Sequence, residues 1–431
     1  MRPSVRTLAV HLNDVLVGYL THYPDDKTIF MVDQTYIDSG SDRPVLSLSM
    51  ARPNDEDLTQ QLLADERHKS STVKAPPFFS NLLPEGGLRK RIAAELKVHE
   101  DREFDLLLAL GRDLPGAVVL SLADTPPYMK NRRNRAFTNL PSVPPEMKFS
   151  LGGMQLKFSM LQQGERYTLP AGDVLGNFIV KPPSNDFAGL PMIEAAAMET
   201  ARAVGIDVPE VHLVDPDRIE GLKGLSGVRA NEPFYAIRRF DRIDGGGRRH
   251  IEDFAQVFNL RVNDKYGRAN YEQIGRTLLQ YAGGIEDVRE MSKRLMFNVL
   301  MGNGDAHLKN WSLLYDNPSR PRLAPAYDMV PTVAYTTSDK SIALNMGGLR
   351  DFKDISLGTF EKFLHRLGLL DQVRDDIMKT VIDVGRNILV AWEDHFFEMN
   401  VPSQLVYAVR NHQELLPLAF ELKSDRTTVS T

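Results

Sequence analysis

Apolar and polar residues alternate over the first fifty positions as they do in short strands. Leu8, Val10 and Leu12 share one face of an extended segment, and Asn13-Asp14 predicts a turn before Val15-Leu16-Val17-Gly18-Tyr19. Residues 79–122 read as helices joined by loops, with Leu106, Leu107, Leu108 and Leu110 in a buried helix that stops at Gly111. Residues 125–146 carry Pro126-Pro127, a basic run over 130–135, and Pro141, Pro144 and Pro145. Prolines remove backbone donors and the basic run has little to bury, so a linker or long exposed loop is expected there. Strand patterns return at 147–150, 157–161, 177–181 and 234–240, with a helix over 192–204 between the last two. After Gly245-Gly246-Gly247 the chain reads as mostly helical to residue 422, ahead of a polar tail, and no internal repeat is visible. The pattern predicts an α+β protein: a strand-rich N-terminal module (1–125), a linker (126–146), a mixed lobe (147–245), a helical lobe (246–422) with a cleft between the two lobes, and the tail (423–431).

Composition narrows the chemistry. The 431 residues are 42% hydrophobic and 25% charged, ordinary for a globular protein with room for large cores. There is no cysteine, which removes disulfides, thiolate metal sites and cysteine nucleophiles, and fits a reducing cytoplasm. The formal net charge is −5, whereas a protein that mainly wraps nucleic acid is basic overall. Polar residues interrupt the N-terminal apolar run before it forms a signal-peptide core, and no apolar run reaches the roughly 18 residues that a membrane helix needs. A soluble, cytoplasmic protein is expected.

Three segments carry candidate chemistry. The first is Ser150-Leu151-Gly152-Gly153-Met154-Gln155-Leu156-Lys157, two glycines between two strands. Glycines there let backbone N–H groups approach anionic oxygens, and Gln155 can donate to a phosphate; a plain β-hairpin loop gives the same letters. The second is Asn177-Phe178-Ile179-Val180-Lys181-Pro182-Pro183, a strand that ends on a lysine, with Glu194 on the following helix. A strand lysine held by a helix glutamate is how protein kinases reach nucleotide phosphates, although a solvated lysine and an unrelated glutamate would read alike. The third is Gly302-Asn303-Gly304-Asp305-Ala306-His307-Leu308-Lys309-Asn310, which follows a buried helix over 291–300. Asp305 and Asn310 stand five apart, the spacing of a kinase catalytic loop, where the carboxylate orients the attacking hydroxyl and the amide oxygen holds magnesium. Asp328, in Pro325-Ala326-Tyr327-Asp328-Met329, is the second hard-oxygen ligand for that ion. No H-E-x-x-H and no G-x-S-x-G occurs, so zinc hydrolysis and serine-hydrolase chemistry find no support.

Taken in order, Phe149-Ser150 with Gly153-x-Gln155, Ile179-x-Lys181, Arg239-Phe240-Asp241-Arg242, Asp305-x-His307-x-Lys309-Asn310 and Tyr327-Asp328 resemble the HipA family of serine/threonine kinase toxins. Phe79-Ser80-Asn81-Leu82-Leu83-Pro84-Glu85-Gly86, Phe104-Asp105-Leu106-Leu107, Gly111-Arg112-Asp113 and Gly116-Ala117-Val118 resemble the family's N-terminal accessory module, so the likeness spans nearly the whole chain. It implies a two-lobed protein-kinase-like fold, ATP and Mg2+ as cofactors, and transfer of the γ-phosphate to serine or threonine. It also implies a helix-turn-helix antitoxin, HipB, through which operator DNA is bound, and an aminoacyl-tRNA synthetase as protein substrate.

By residue, the likeness makes Asp305 the catalytic base and Asn310 and Asp328 the magnesium ligands. Gly152, Gly153, Met154, Gln155, Leu156 and Lys157 would cover the nucleotide and Lys181 would hold its phosphates, with Glu194 as the ion-pair partner. Arg238, Arg239 and Phe240 would form the hinge beside adenine, and His307, Leu308, Lys309 and Tyr327 would complete the nucleotide site. Ser150 would be the serine whose autophosphorylation switches the kinase off. Two positions depart from the family pattern: Arg238 stands where an acidic hinge residue is expected, and Leu156 where a proline or a charge is common. Two rival readings stay open. One is a catalytically inactive corepressor of the antitoxin, disfavoured because Lys181, Asp305, Asn310 and Asp328 are all present. The other is a small-molecule or lipid kinase of related fold.

Overall fold

The computed structural model describes residues 5–66, 69–123, 156–170, 174–222, 229, 231–335 and 340–424. The linker 126–146, the strand expected at 147–150, and Ser150, Gly152, Gly153, Met154 and Gln155 lie outside the described residues.

The N-terminal part is built on a five-stranded antiparallel sheet of β1 (Arg6–Leu12), β2 (Val15–His22), β3 (Lys27–Val32), β4 (Ser70–Thr72) and β5 (Val118–Leu122), in the order β4-β3-β2-β1-β5. The β1–β2 turn falls at Asn13-Asp14, with Asn13 in the left-handed region (φ 51°) that a two-residue hairpin requires. Leu8, Val10 and Leu12 pack with Phe78, Phe79, Leu106 and Leu107, which come from the helices laid on the sheet: α1 (Gln34–Asp38), α2 (Glu56–Ala64), α3 (Pro77–Ser80), α4 (Gly86–Glu95) and α5 (Glu103–Leu110). Helix α5 stops at Gly111 as the pattern predicts, but the helical reading of 79–122 fails at its end. Val118–Leu122 is a strand, because its backbone pairs with β1, more than a hundred residues away in sequence.

The second sheet runs β7-β6-β8-β10-β9 and is antiparallel along its named pairs, from β6 (Phe158–Gln163), β7 (Arg166–Thr168), β8 (Phe178–Lys181), β9 (Val211–Val214) and β10 (Phe234–Arg238). Helix α6 (Leu190–Ala203) begins after Gly189 (φ 74°) with Pro191 in its first turn. Its small buried residues Ala195, Ala196, Ala197 and Ala201 let it pack closely in the core it shares with Tyr235 and Ile237 of β10.

The C-terminal part centres on α9 (Ile285–Met301), packed against the long α11 (Asp371–Glu398). Around it lie α7 (Phe254–Val257), α8 (Tyr271–Tyr281), α10 (Leu357–Arg366), α12 (Ser403–Glu414) and α13 (Pro417–Ser424), the last running just into the expected polar tail. The expectation of a mostly helical lobe omits two small sheets: β11 (His250–Asp253) with β12 (Ser312–Asn317) and β13 (Arg320–Leu323), and the hairpin β14 (Ser341–Met346) with β15 (Leu349–Asp351). β11 and β12 meet across some sixty residues, so no local alternation announces the pair. Among the described residues no helix is long and apolar enough to cross a membrane.

Buried polar bonds fasten the N-terminal part to both lobes. Arg242 donates to Asp113 Oδ1 at 2.7 Å and to the Gly116 carbonyl at 3.0 Å, while Asp241 Oδ2 accepts from the Gly116 amide at 2.8 Å and from Arg239 at 2.7 Å. Gly116 (φ 73°) lets the two backbones meet this closely, since a Cβ there would stand 2.8 Å from the Ile251 nitrogen. On the C-terminal side, Glu252 accepts from Ser47 Oγ (2.7 Å), the Leu48 amide (2.9 Å) and the Tyr315 hydroxyl (2.5 Å).

Burial pushes the Glu252 carboxyl up to about 7 against the pull of these three donors. A carboxyl raised in the folded state contributes stability that is complete below its unfolded value and is lost as pH rises through 7. Between pH 5 and pH 8 the parent should therefore lose on the order of 3 kcal/mol relative to Glu252→Gln in urea denaturation. His250, which burial lowers to about 4, acts alike in both proteins. Parallel pH profiles would show that Glu252 is not the titrating latch.

Candidate active site

The site grows from a buried cation. Lys181 ends β8 with 4% of its surface exposed, and such a charge needs compensation at close range. It donates to Glu194 Oε1 of α6 at 2.6 Å and bonds Asp328 Oδ1, and its ammonium lies 5.4 Å from the centroid of the Tyr235 ring. Burial lowers the Lys181 pKa, but Asp328 and Glu194 outweigh it and hold it above the ordinary lysine value. The strand-lysine and helix-glutamate pair expected from the sequence is thus present. Lys157, just ahead of β6, lies 3.9 Å from Asp328 Oδ2; burial lowers it and Asp328 opposes that shift. Asp328 is only partly buried, at 24% side-chain exposure; burial raises its carboxyl, but Lys181 and Lys157 outweigh it and hold it well below the usual range. Its backbone sits in the left-handed region (φ 54°), which Asp tolerates better than most residues.

The catalytic-loop candidate begins where α9 ends. Gly302 closes the helix at φ 70°, and a Cβ there would clash with Val333 Cγ2 at 2.3 Å. Asn303, 2% exposed, then ties the loop down: its amide nitrogen donates to Asn298 Oδ1 at 3.0 Å and its oxygen accepts from the Asp305 amide at 3.0 Å. The Asn310 side-chain N–H donates to the Asp305 carbonyl at 2.8 Å, which leaves its amide oxygen as the atom that could take a cation. The Asp305 carboxylate is about half exposed, at 51%, and accepts from the Tyr266 hydroxyl at 2.5 Å.

An apolar-walled cavity of about 140 Å3 lies against Lys181 and Asp328, lined also by Ile179, Ile237, Arg238, Arg239, Phe240, Asp241 and Tyr327, with Asn81, Leu82 and Pro115 from the N-terminal part; of the 302–310 loop only Lys309 lines it. Phe240 and Tyr327 face each other at 5.9 Å, and the Tyr327 hydroxyl donates to the Lys309 carbonyl at 2.9 Å. Among the residues expected to hold a nucleotide, Leu156 packs between two apolar clusters and Leu308 is fully buried, so each serves through packing and backbone. The Arg239 guanidinium is tied to Asp241 and to Ser159 Oγ (2.8 Å), leaving only its backbone for a hinge role, and Arg238 turns outward to Asp244 at 2.5 Å. His307 is buried and lowered to about 3, first by burial and then by Lys265, so it is neutral near pH 7.

Sequence reasoning assigned no role to Asn303, Tyr266 or Asp253. Asn303 lies inside the quoted loop motif, and its neighbour glycines are the signal that could have found it. Tyr266 and Asp253 reach the site only through tertiary packing. Asp253 also caps α7, its side chain accepting from the Gln256 amide.

The donor set fits a magnesium–nucleotide group. One carboxylate and one amide oxygen, with phosphates and water completing the shell, is how this hard cation is commonly held, and two lysines stand by for phosphate charge. Glu194 Oε2 is buried with no hydrogen-bond partner among the described residues, so part of the site's bonding capacity is unused.

A strand lysine paired with a helix glutamate, an Asp–Asn loop and a second aspartate, set between a five-stranded sheet and a helical body, define a two-lobed protein-kinase-like protein. The chain belongs to the HipA family. The HipA-like C-terminal domain matches residues 149–392 and the HipA N-terminal domain matches residues 8–121. The chain is 38% identical over 426 residues to the Sinorhizobium fredii protein named "Putative kinase Y4dM", covering 96% of this chain and 98% of that one. It is 25% identical over 394 residues, 84% of each chain, to the Shewanella oneidensis serine/threonine-protein kinase toxin HipA. The solved structure of Shewanella oneidensis HipA with HipB and its operator DNA has the same fold, with a TM-score of 0.71 at 21% identity over 97% of this chain and 99% of that chain.

Lys181→Met should leave Glu194 as a buried carboxylate without its cation and cost about 3–5 kcal/mol in urea denaturation. An unchanged midpoint would mean that the pair does not carry the strand–helix contact.

Proposed function

We propose that the chain is an ATP- and magnesium-dependent serine/threonine protein kinase toxin. The observation that carries the reading is that Lys181 bonds both Glu194 and Asp328, and that Asp328 lines one small cleft with Asn310, whose side chain donates to the Asp305 carbonyl. Bound ATP supplies the transferable γ-phosphoryl group. Lys181 and Lys157 would balance the phosphate charge, and the oxygens of Asn310 and Asp328 would hold the metal. Both lysines lie against Asp328, the carboxylate that would hold the metal, so phosphate oxygens bridged by that metal would come within their reach. Asp305 takes the proton of the acceptor hydroxyl as its oxygen bonds to phosphorus and the bond to the β-phosphate oxygen breaks. Its half-exposed carboxylate is open to a protein substrate, while Tyr266 fixes one of its oxygens.

The HipA–HipB–operator complex of the Shewanella relative supports a HipB-like helix-turn-helix antitoxin as partner, with operator DNA reached mainly through it. The net charge of −5 agrees, since tight duplex binding rests on phosphate neutralisation. The substrate we assign is an aminoacyl-tRNA synthetase serine, in the cytoplasm, with Ser150 as an autophosphorylation site that shuts the kinase off. All four chemical residues are present, which speaks against an inactive corepressor. The N-terminal module at the cavity wall favours a protein substrate over a lipid or small molecule.

Asp305→Asn should keep Mg-ATP binding in calorimetry and lose transfer by about 10²–10⁴-fold, while Asp328→Ala should lose binding as well. Undiminished transfer by Asp305→Asn would remove it as the base. After incubation with Mg-ATP, mass spectrometry should find one phosphate on Ser150 in the parent and none in Asp305→Asn. The added charge of about −1.5 to −2 should abolish nucleotide binding. Phosphorylated protein that still binds ATP would refute the switch.

A further inference from the structure

Asn81-Leu82-Leu83-Pro84-Glu85, in the N-terminal module, takes no part in the chemistry above, yet it meets the catalytic loop directly. The Asn81 side-chain N–H donates to the carbonyls of Pro77 (2.9 Å) and Leu260 (2.8 Å), which fixes its orientation. Its carbonyl and Oδ1 accept from Lys309 Nζ at 2.8 and 3.2 Å, and Asp253 Oδ2 lies 3.1 Å from the same nitrogen. An ammonium has three N–H donors, and these three acceptors match them. Glu85 is 6% exposed. Its Oε1 lies 3.5 Å from Lys309 Nζ, and its Oε2 accepts from Lys265 Nζ at 2.9 Å. Burial drives Glu85 toward its neutral form, but Lys309 and Lys265 outweigh it and keep the carboxylate charged.

Both lysines flank the reacting residues. Lys309 is bonded in sequence to Asn310. The carbonyl of Lys265 accepts from the Leu308 amide at 3.3 Å, and its neighbour Tyr266 donates to Asp305. One carboxylate of the N-terminal module therefore touches both edges of the segment that carries Asp305 and Asn310. A buried ion cluster of this kind adds little net stability over apolar packing, but its geometry fixes where the loop lies.

We propose that Glu85, assisted by Asn81, is a positioning residue of the active site, by which the N-terminal module sets the conformation of the catalytic loop through Lys309 and Lys265. The kinetic consequence rests on the kinase reading; the conformational one does not.

The test uses the full chain and the variants Glu85→Gln, Glu85→Asp and Asn81→Ala. With a protein substrate or autophosphorylation as readout, Glu85→Gln should lower kcat by roughly tenfold or more while KM for ATP stays within about twofold, and Glu85→Asp should recover part of the loss. Hydrogen exchange at the amides of residues 303–310 should speed up in Glu85→Gln, with the amides of β8 and α6 unchanged. An unchanged kcat together with unchanged loop exchange overturns the proposal, as does a parallel fall of kcat, ATP affinity and thermal midpoint that Glu85→Asp does not relieve. If Glu85→Gln fails to fold, Asn81→Ala decides: a few-fold fall in kcat at constant KM supports the proposal, and parent-like kinetics refute it. Exchange needs no turnover, so a parent that transfers no phosphate but whose loop loosens in Glu85→Gln sinks the kinase reading and keeps this one.

Discussion

A lysine that is 4% exposed carries its charge inside the protein only because two carboxylates surround it. That one requirement ties together three segments that are separate in sequence: the end of β8, the first turns of α6 and the loop at Asp328. Each alone would be poorly determined. Remove the cation and Glu194 becomes an unpaired buried anion; remove Asp328 and the cation loses half of its compensation. The lobes thus meet across this charge balance as well as through a shared apolar core, and the same three groups are those that nucleotide phosphates and a metal would engage. Structural necessity and chemistry share the same atoms here.

The N-terminal module belongs to the same system. It is fastened just past β10 through Asp113 and Gly116 on Asp241 and Arg242, at β11 through Ser47 and Leu48 on Glu252, and at the candidate catalytic loop through Asn81 and Glu85 on Lys309 and Lys265. Each fastening buries charge or backbone polar groups, and in each an atom of one part bonds an atom of the other. An appendage meant only for recruiting a partner would not need to be wired into the segment past β10, the sheet and the loop together. The two lobes and the module share one polar interior, so a change in one is felt in the others.

Much of the site was legible in the residues. Gly302 through Asn310 with Asp328 announced themselves because a turn-forming glycine, a carboxylate and an amide at fixed spacing are all local features. Lys181 and Glu194 were legible as a pair because strand and helix follow each other directly. Leu8, Val10 and Leu12, and the turn at Asn13, were legible because alternation and left-handed turn residues need only neighbours. Val118–Leu122, β11 and β12 were not, since a short strand is chosen by a partner far along the chain. Tyr266 and Asp253 were hidden for the same reason: nothing next to them in sequence reports that Asp305 or Lys309 lies within hydrogen-bond reach.

By itself the sequence determined the locally patterned elements, the candidate charged groups for chemistry, and the absence of cysteine-based alternatives, because these depend on residue type and on spacings within a single turn or strand. The tertiary structure decided which charges are buried and therefore must pair. It placed both Lys181 and Lys157 on Asp328, tied the Arg239 guanidinium into the Asp241 network, and brought Asn81 and Glu85 to the loop that carries Asp305 and Asn310. The physical reason is that desolvation acts on a site only once the chain around it has closed. A lysine in the sequence is just a cation; inside the fold its partners are settled by which oxygens are within about 3 Å of it when water is gone.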